Sequence, residues 1–109
     1  MIKFIIKNIK EVEADLQAEV KTYFEKKQGF YTELFKKYDK EMTMELIIDH
    51  SSSVYKASVS LNMKSKKMLL AKEGKELMSV LTSLFGSFKN VVRKQYELER
   101  KDYVYKRKR

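Results

Sequence analysis

The sequence predicts an α+β domain with the element order β-α-β-β-β-α. A β-branched run opens the chain, apolar residues alternate with polar ones through its middle, and segments of helical periodicity lie on either side of that middle. A four-stranded sheet must cover its apolar face, and the two amphipathic helices are the only elements that can do so. We therefore expect a mixed sheet with both helices packed on one face.

The first strand and the first helix occupy the start of the chain. Residues 2–9 are rich in β-branched and aromatic side chains, which predicts a strand with Phe4 and Ile6 on one face. From about Glu11 the period becomes that of an amphipathic helix. The apolar stripe of this helix consists of Val12, Leu16, Val20 and Phe24.

Gln28-Gly29 is predicted to end this helix, because glycine readily adopts the left-handed conformation that follows many helices. Residues 30–38 then have near-helical apolar spacing. They predict a short helical turn or a packed loop that leads into the sheet.

Three consecutive strands are predicted in the middle of the chain, because apolar and polar residues alternate there. In order, the expected segments are a strand at 42–49, a polar loop at 50–53, a strand at 55–64, a hairpin turn at 64–67 and a short strand from Met68 to Glu73-Gly74. The helix between the first two strands permits a parallel pair joined by a right-handed crossover, whereas the later connections suit hairpins.

A second, longer helix is predicted from about Lys75 to at least Lys101. One side of it is apolar and includes Val91. The opposite side carries a basic ridge formed by Lys89, Arg93, Lys94, Arg100 and Lys101. Residues 102–109 have too little apolar periodicity to pack, so we expect one domain over 1–101 and a flexible basic tail.

The composition excludes several classes of protein. The chain has 109 residues, no cysteine and one histidine, so a disulfide framework and a transition-metal site are not expected. No signal peptide or membrane-spanning run is recognisable, which favours a cytoplasmic protein. The consecutive residues Asp49, His50 and Ser51 cannot converge as a catalytic triad. We expect no enzyme activity, no cofactor and no small-molecule substrate.

The net charge of +9 is concentrated in the second half of the chain. Residues 1–50 contain 9 Lys and 10 Asp or Glu, whereas residues 51–109 contain 15 Lys or Arg and 5 Asp or Glu. Such asymmetry favours a polyanionic partner, although a lysine-rich surface can serve solubility alone. The candidate RNA-binding residues are Lys64, Lys66 and Lys67 in the hairpin and Lys89, Arg93, Lys94, Arg100 and Lys101 in the last helix.

Three tyrosines, Tyr96, Tyr103 and Tyr105, are interleaved with the basic residues near the end of the chain. Aromatic side chains beside cations are suited to stacking on nucleic-acid bases. Tyr96 is equally suited to a place at the border of the core.

The pattern as a whole resembles the ribosome hibernation promoting factor family, also called ribosome-associated inhibitors or sigma-54 modulation proteins. The resemblance covers Ile2 to about Lys101 and consists of apolar spacing. It includes the Asn and Lys residues of the hairpin turn, a strand ending in Glu73-Gly74, and a helix that opens with Glu76-Leu77-Met78 and continues through Leu81, Leu84-Phe85, Phe88 and Val92.

The resemblance implies a fold akin to a double-stranded RNA-binding domain with an added strand. It implies binding of rRNA in the tRNA and mRNA channel of the small ribosomal subunit, through basic residues on and between the helices, and silencing of idle ribosomes. The positions that correspond to the polar motif of the family's last helix are Ser87, Phe88, Asn90, Val91 and Lys94, of which only Lys94 keeps its charge. The chain therefore resembles a divergent short form.

Two other functions are open at this point. One is a protein-interaction module that uses the exposed sheet face or an edge strand, and the other is a general binder of double-stranded nucleic acid. A monomer that does not bind membranes is expected in each case.

Overall fold

The predicted fold class and element order are confirmed. The structure, a computed structural model, describes the backbone of residues 2–107 and the side chains of residues 2–101. Its elements are β1 (Ile2–Lys7), α1 (Ala14–Leu34), β2 (Met42–Ser51), β3 (Val54–Asn62), β4 (Lys67–Gly74) and α2 (Leu77–Arg107), with a 3₁₀ turn at Ile9–Glu11 before α1.

The four strands form one mixed sheet in the order β1-β2-β3-β4. β1 runs parallel to β2, and the two following pairs are antiparallel, as predicted. One row of partners, Phe4, Met44, Leu61 and Met68, crosses all four strands and faces the core. The alternation of apolar residues in the sequence therefore builds one continuous apolar face.

Both helices cover this apolar face. The ring of Phe24 in α1 packs edge-on against Phe4 in β1, with ring centroids 5.9 Å apart, and lies 5.8 Å from the ring of Phe85 in α2. α2 lies over β3 and β4. The two helices are thus neighbours, and a groove runs between their outer surfaces.

The predicted end of α1 at Gly29 is wrong. The helix continues through Gly29 to Leu34, and Tyr31 in this extension is buried against Phe88 of α2. A glycine inside a helix costs only about 1 kcal/mol, whereas burial of a large aromatic side chain contributes about 1.5–3 kcal/mol. Tertiary packing therefore overrides the local stop signal, and residues 30–34 are helix rather than a separate turn.

The polar loop predicted at 50–53 is shorter in the structure. His50 and Ser51 belong to β2 and pair with Tyr55 and Val54, so the turn contains only two residues. Ser52 and Ser53 have φ values of 50° and 68°. Positive φ at both central residues is the geometry of a type I′ hairpin turn, which glycine and asparagine adopt more easily than serine.

Two residues depart from the burial that their position in the sequence pattern predicts. Ser60 alternates with the apolar residues of β3 and so belongs to the sheet face away from the helices, but it is buried between Glu45 and Leu69 on the adjacent strands. Val91 belongs to the predicted apolar side of α2, yet it is exposed at the flank of the helix.

The backbone of α2 continues to Arg107 and so includes six residues of the segment predicted as a tail. The side chains of residues 102–109, including Tyr103 and Tyr105, lie outside the described residues. Within the described part of the chain, no helix combines the length and the apolar character needed to cross a membrane.

Candidate nucleic-acid interface

A groove of about 550 Å³ separates the C-terminal end of α1 from α2. Its walls carry four cationic and two anionic side chains beside two apolar or aromatic ones. We call it the interhelical groove, and it is lined by Glu33, Leu34, Lys36, Lys37, Arg93, Tyr96, Glu97 and Arg100. Two of the candidate residues, Arg93 and Arg100, therefore share this groove with Lys36 and Lys37, which follow the end of α1.

Lys89 extends the same surface by one helical turn toward the N-terminus of α2. Its Nζ lies 4.6 Å from the centroid of the Phe30 ring in α1. One turn further along α1, Lys27 Nζ lies 5.0 Å from the centroid of the Tyr23 ring. Cation–π contacts of this kind hold ammonium groups over aromatic faces without neutralising them. Both lysines remain available to a phosphate.

The acidic residues of the groove only partly offset its positive charge. Glu33 forms an exposed ion pair with Lys36, with 2.9 Å between Oε1 and Nζ. This contact lowers the pKa of Glu33 and raises that of Lys36, chiefly through the hydrogen bond between them. Since exposed ion pairs contribute little stability, an arriving phosphate can compete for Lys36 at small cost.

The predicted ridge on α2 divides into two groups. At about 100° per residue, Lys89, Arg93 and Arg100 lie within about 40° of one another on the helix circumference. They form the flank of α2 that faces α1. Lys94 and Lys101 lie roughly 100° further round, on the outer surface. All five side chains are exposed; Arg93 and Arg100 line the interhelical groove, and Lys89 lies one helical turn away, over the Phe30 ring.

The three lysines of the hairpin differ in their contacts. Lys64 forms an ion pair with Asp39, and its Nζ lies 5.1 Å from the centroid of the Tyr38 ring. This ion pair lowers the pKa of Asp39, mainly through the hydrogen bond that Lys64 donates. Lys66 and Lys67 are exposed.

Aromatic contacts connect Lys64 to the end of the groove. The Tyr38 ring packs edge-on against Tyr96, with centroids 5.4 Å apart, and the Arg100 guanidinium lies 5.9 Å from the Tyr96 centroid. Tyr96 is half-buried and also lies 5.0 Å from the ring of Phe35. Its place at the border of the core is therefore confirmed, and a stacking role for it stays a prediction.

The hairpin tip is fastened to α2 by hydrogen bonds. The backbone N–H and the hydroxyl of Ser65 both donate to Glu99 Oε2, at 3.1 Å and 2.5 Å. Gln95 Nε2 donates to the same hydroxyl at 2.7 Å. These bonds hold the hairpin at a defined position beside the helix.

Sequence reasoning missed the contribution of α1, and of the segment that follows it, to this surface. Lys27 lies in α1, whereas Lys36 and Lys37 follow its last residue, Leu34, and all three lysines belong to the nearly neutral first half of the chain. The available signal was the spacing of Lys27, Phe30 and Leu34, which places these three residues on one flank of a helix that continues past Gly29.

The part of the chain that the structure describes contains no group of three or more His, Asp or Glu residues that could hold a metal ion. His50 stacks on the Tyr55 ring, with centroids 3.9 Å apart. His50 points to one side of the sheet in strand β2, and its neighbours Asp49 and Ser51 alternate to the other.

Compared with known proteins, the chain matches no established family pattern and no curated sequence.

Proposed function

We propose that this protein is a cytoplasmic, ribosome-associated translation inhibitor that binds small-subunit rRNA in the tRNA and mRNA channel. One observation carries the proposal: Arg93 and Arg100 of α2 line the same groove as Lys36 and Lys37, which follow the end of α1, and Lys89 extends this surface along α2. Five cations, three on α2 and two in the segment that follows α1, thus form one extended surface.

Folded RNA is the polyanion that suits this surface best. Lysine and arginine side chains neutralise phosphates and release counterions, which supplies affinity without reading the base sequence. A-form helices are recognised through shape and backbone, because side chains cannot enter their deep major groove. Cations held on packed helices can match a fixed phosphate spacing.

The proposal that this RNA is ribosomal rests on the resemblance to the hibernation factor family. The strand order and the placement of both helices on one sheet face agree with the fold that the resemblance implies. Basic residues on and between the helices are also what it implies for rRNA contact. Because Asn90 and Val91 replace the polar residues of the family's motif, contacts from α1 would compensate for those lost from α2.

The test is cosedimentation of the full chain with purified small subunits over a range of salt concentrations, together with an in vitro translation assay. We expect binding at low and moderate salt, release at high salt and inhibition of translation. The variant Lys89→Glu/Arg93→Glu should lose binding by at least about tenfold, because it places two anions in the groove.

A matched control removes the effect of total charge. Lys3→Glu/Lys56→Glu changes the net charge by the same amount on the opposite sheet face, where both side chains are exposed. This variant should bind nearly as well as the parent. Equal loss in both variants, or no binding at moderate salt, would contradict the proposal. Equally tight binding to naked duplex RNA would instead indicate a general double-stranded RNA binder.

A further inference from the structure

We propose that two copies of this chain associate through the β4 edge, by antiparallel pairing of β4 with β4 around Leu70, to form one continuous eight-stranded sheet. β4 is an edge strand of eight residues with no proline. An edge strand of this length presents unpaired backbone groups that a second strand can satisfy. This departs from the monomer expected from the sequence.

The exposed apolar side chains lie at this edge. Among the described side chains, the large apolar residues that are exposed are Leu69, Val91 and Leu98, with exposed fractions of 66%, 38% and 50%. Leu69 belongs to β4 and lies on the open sheet face. Val91 and Leu98 belong to α2, the helix that packs over β4. Of these three residues, Leu69 belongs to the edge strand itself, where a second strand would cover it.

The orientation of α2 places Val91 and Leu98 beside the β4 edge. At about 100° per residue, both lie within about 20° of Val80, and on the side of the helix opposite Arg93 and the groove. Val80 lies against the end of β4, since its Cγ2 is 3.0 Å from the position that a Cβ atom at Gly74 would occupy. The flank of α2 that carries Val80 is therefore the one on the β4 side. The exposed flank of α2 thus lies on the β4 side of the helix, whereas Leu69 lies on the opposite face of the same edge strand.

The charges of β4 favour pairing of this strand with β4 of a second copy of the chain. With Leu70 opposite Leu70 of the second copy, Lys67 lies opposite Glu73 and Glu73 opposite Lys67, so two ion pairs form across the twofold axis. Leu69 then lies opposite Ala71 and diagonal to the second Leu69. Shifting the register by two residues in either direction loses both ion pairs.

The opposite edge of the sheet does not favour the same pairing. Self-pairing of β1 around Ile5 would place Lys3 opposite Lys7, and like charges directly opposite one another are destabilising. Lys7 also forms an ion pair with Glu45, at 3.2 Å. Lysines on an edge strand commonly prevent such association. The β4 edge has the complementary charges that β1 lacks.

The dimer leaves the proposed RNA-binding surface free. The twofold axis is perpendicular to the sheet, so the α2 helices of both copies lie side by side on the same face. The interhelical groove lies on the far flank of α2 and remains open in each copy. Dimerisation is thus independent of the proposed function.

Analytical ultracentrifugation of the full chain over a range of concentrations tests the proposal. We expect a reversible monomer–dimer equilibrium. Leu69→Glu should weaken it at least about tenfold, because it places repelling anions at the twofold axis. Lys3→Glu on β1 should leave it unchanged. A monomer at every concentration, or a dimer that Leu69→Glu does not weaken, would overturn the proposal.

The register is tested by a charge swap and by cross-linking. Lys67→Glu and Glu73→Lys should each weaken the dimer, and the double variant should restore it, because the swap rebuilds both ion pairs. Since the chain has no cysteine, Leu70→Cys should form a covalent dimer on mild oxidation, whereas Lys72→Cys, off the axis, should not. A swap that restores nothing would show that this register is wrong, even if Leu70→Cys destabilises the fold.

Discussion

The Tyr38 hydroxyl donates a hydrogen bond of 2.5 Å to Glu99 Oε1, although the two residues are 61 positions apart. The same hydroxyl accepts a hydrogen bond of 2.8 Å from the backbone N–H of Lys64. Glu99 also binds Ser65 through its second oxygen. One tyrosine and one glutamate thus join the segment after α1, the β3–β4 hairpin and α2.

Tyr38→Phe should lower the free energy of unfolding by about 1–3 kcal/mol, because it removes a charge-assisted hydrogen bond and leaves the Lys64 N–H without this acceptor. Urea unfolding monitored by circular dichroism measures the change. Tyr23→Phe is the matched control, since its hydroxyl makes only a long bond of 3.5 Å to the Leu81 carbonyl. Equal losses in both variants would contradict a special role for the Tyr38–Glu99 contact.

Two tyrosines make the stability of the fold sensitive to alkaline pH. Burial raises the pKa of Tyr31, and burial together with the hydrogen bond to Glu99 raises the pKa of Tyr38. A raised pKa means that the folded state holds the proton more tightly than the unfolded state. The resulting stability is fully present below about pH 10, the pKa of an unfolded tyrosine, and is lost as pH rises toward the folded-state values.

The free energy of unfolding should therefore fall as pH rises above about 10. Urea unfolding at a series of alkaline pH values measures this slope. Tyr31→Phe should make it shallower, because one of the two protected protons is removed. An unchanged slope in this variant would show that Tyr31 titrates alike in the folded and unfolded states.

Gly29→Ala should stabilise the protein by roughly 0.8–1 kcal/mol, because alanine is the better helix former and the added Cβ meets no atom within 4 Å. Gly86→Ala in α2 should behave in the same way, for the same reason. Thermal unfolding measures both effects. If α1 ended at Gly29 with that residue in a left-handed conformation, the alanine would instead destabilise the protein, so the sign of the change distinguishes the two structures.

Ser53→Gly should stabilise the β2–β3 hairpin by about 1 kcal/mol, because serine at a φ of 68° carries a steric cost that glycine lacks. Chemical unfolding gives the difference. Ser58→Gly, within β3, is the control and should destabilise the protein, since glycine weakens a strand interior. A loss of stability at both positions would contradict the two-residue turn.

Lys37→Gln should weaken RNA binding as much as Arg93→Gln does, because the two cations face each other across the interhelical groove. Each variant should reduce the slope of log K against log salt concentration by about 0.7–0.9, the effect of one lost phosphate contact. Fluorescence anisotropy with an rRNA fragment at several salt concentrations measures this slope. Lys56→Gln, on the opposite sheet face, should leave it unchanged.

The fold class and the element order needed only local patterns. Alternation over residues 42–49 and 55–64 places the apolar face of the sheet, and the four-residue spacing from Leu16 to Phe24 places the helix that covers it. Period and face are properties of consecutive residues, so a single chain is enough to predict them.

Three features were decided only by the tertiary structure. α1 continues past Gly29 because Tyr31 packs against Phe88. Lys37 lines the groove because this continuation brings the end of α1 beside α2. Tyr38 forms a hydrogen bond with Glu99, which is 61 positions away in the sequence. Each depends on a contact between distant segments whose free energy exceeds a local preference of about 1 kcal/mol. Local periodicity thus determined which elements form and which face of each is buried. Packing between them determined where α1 ends and which cations share one surface.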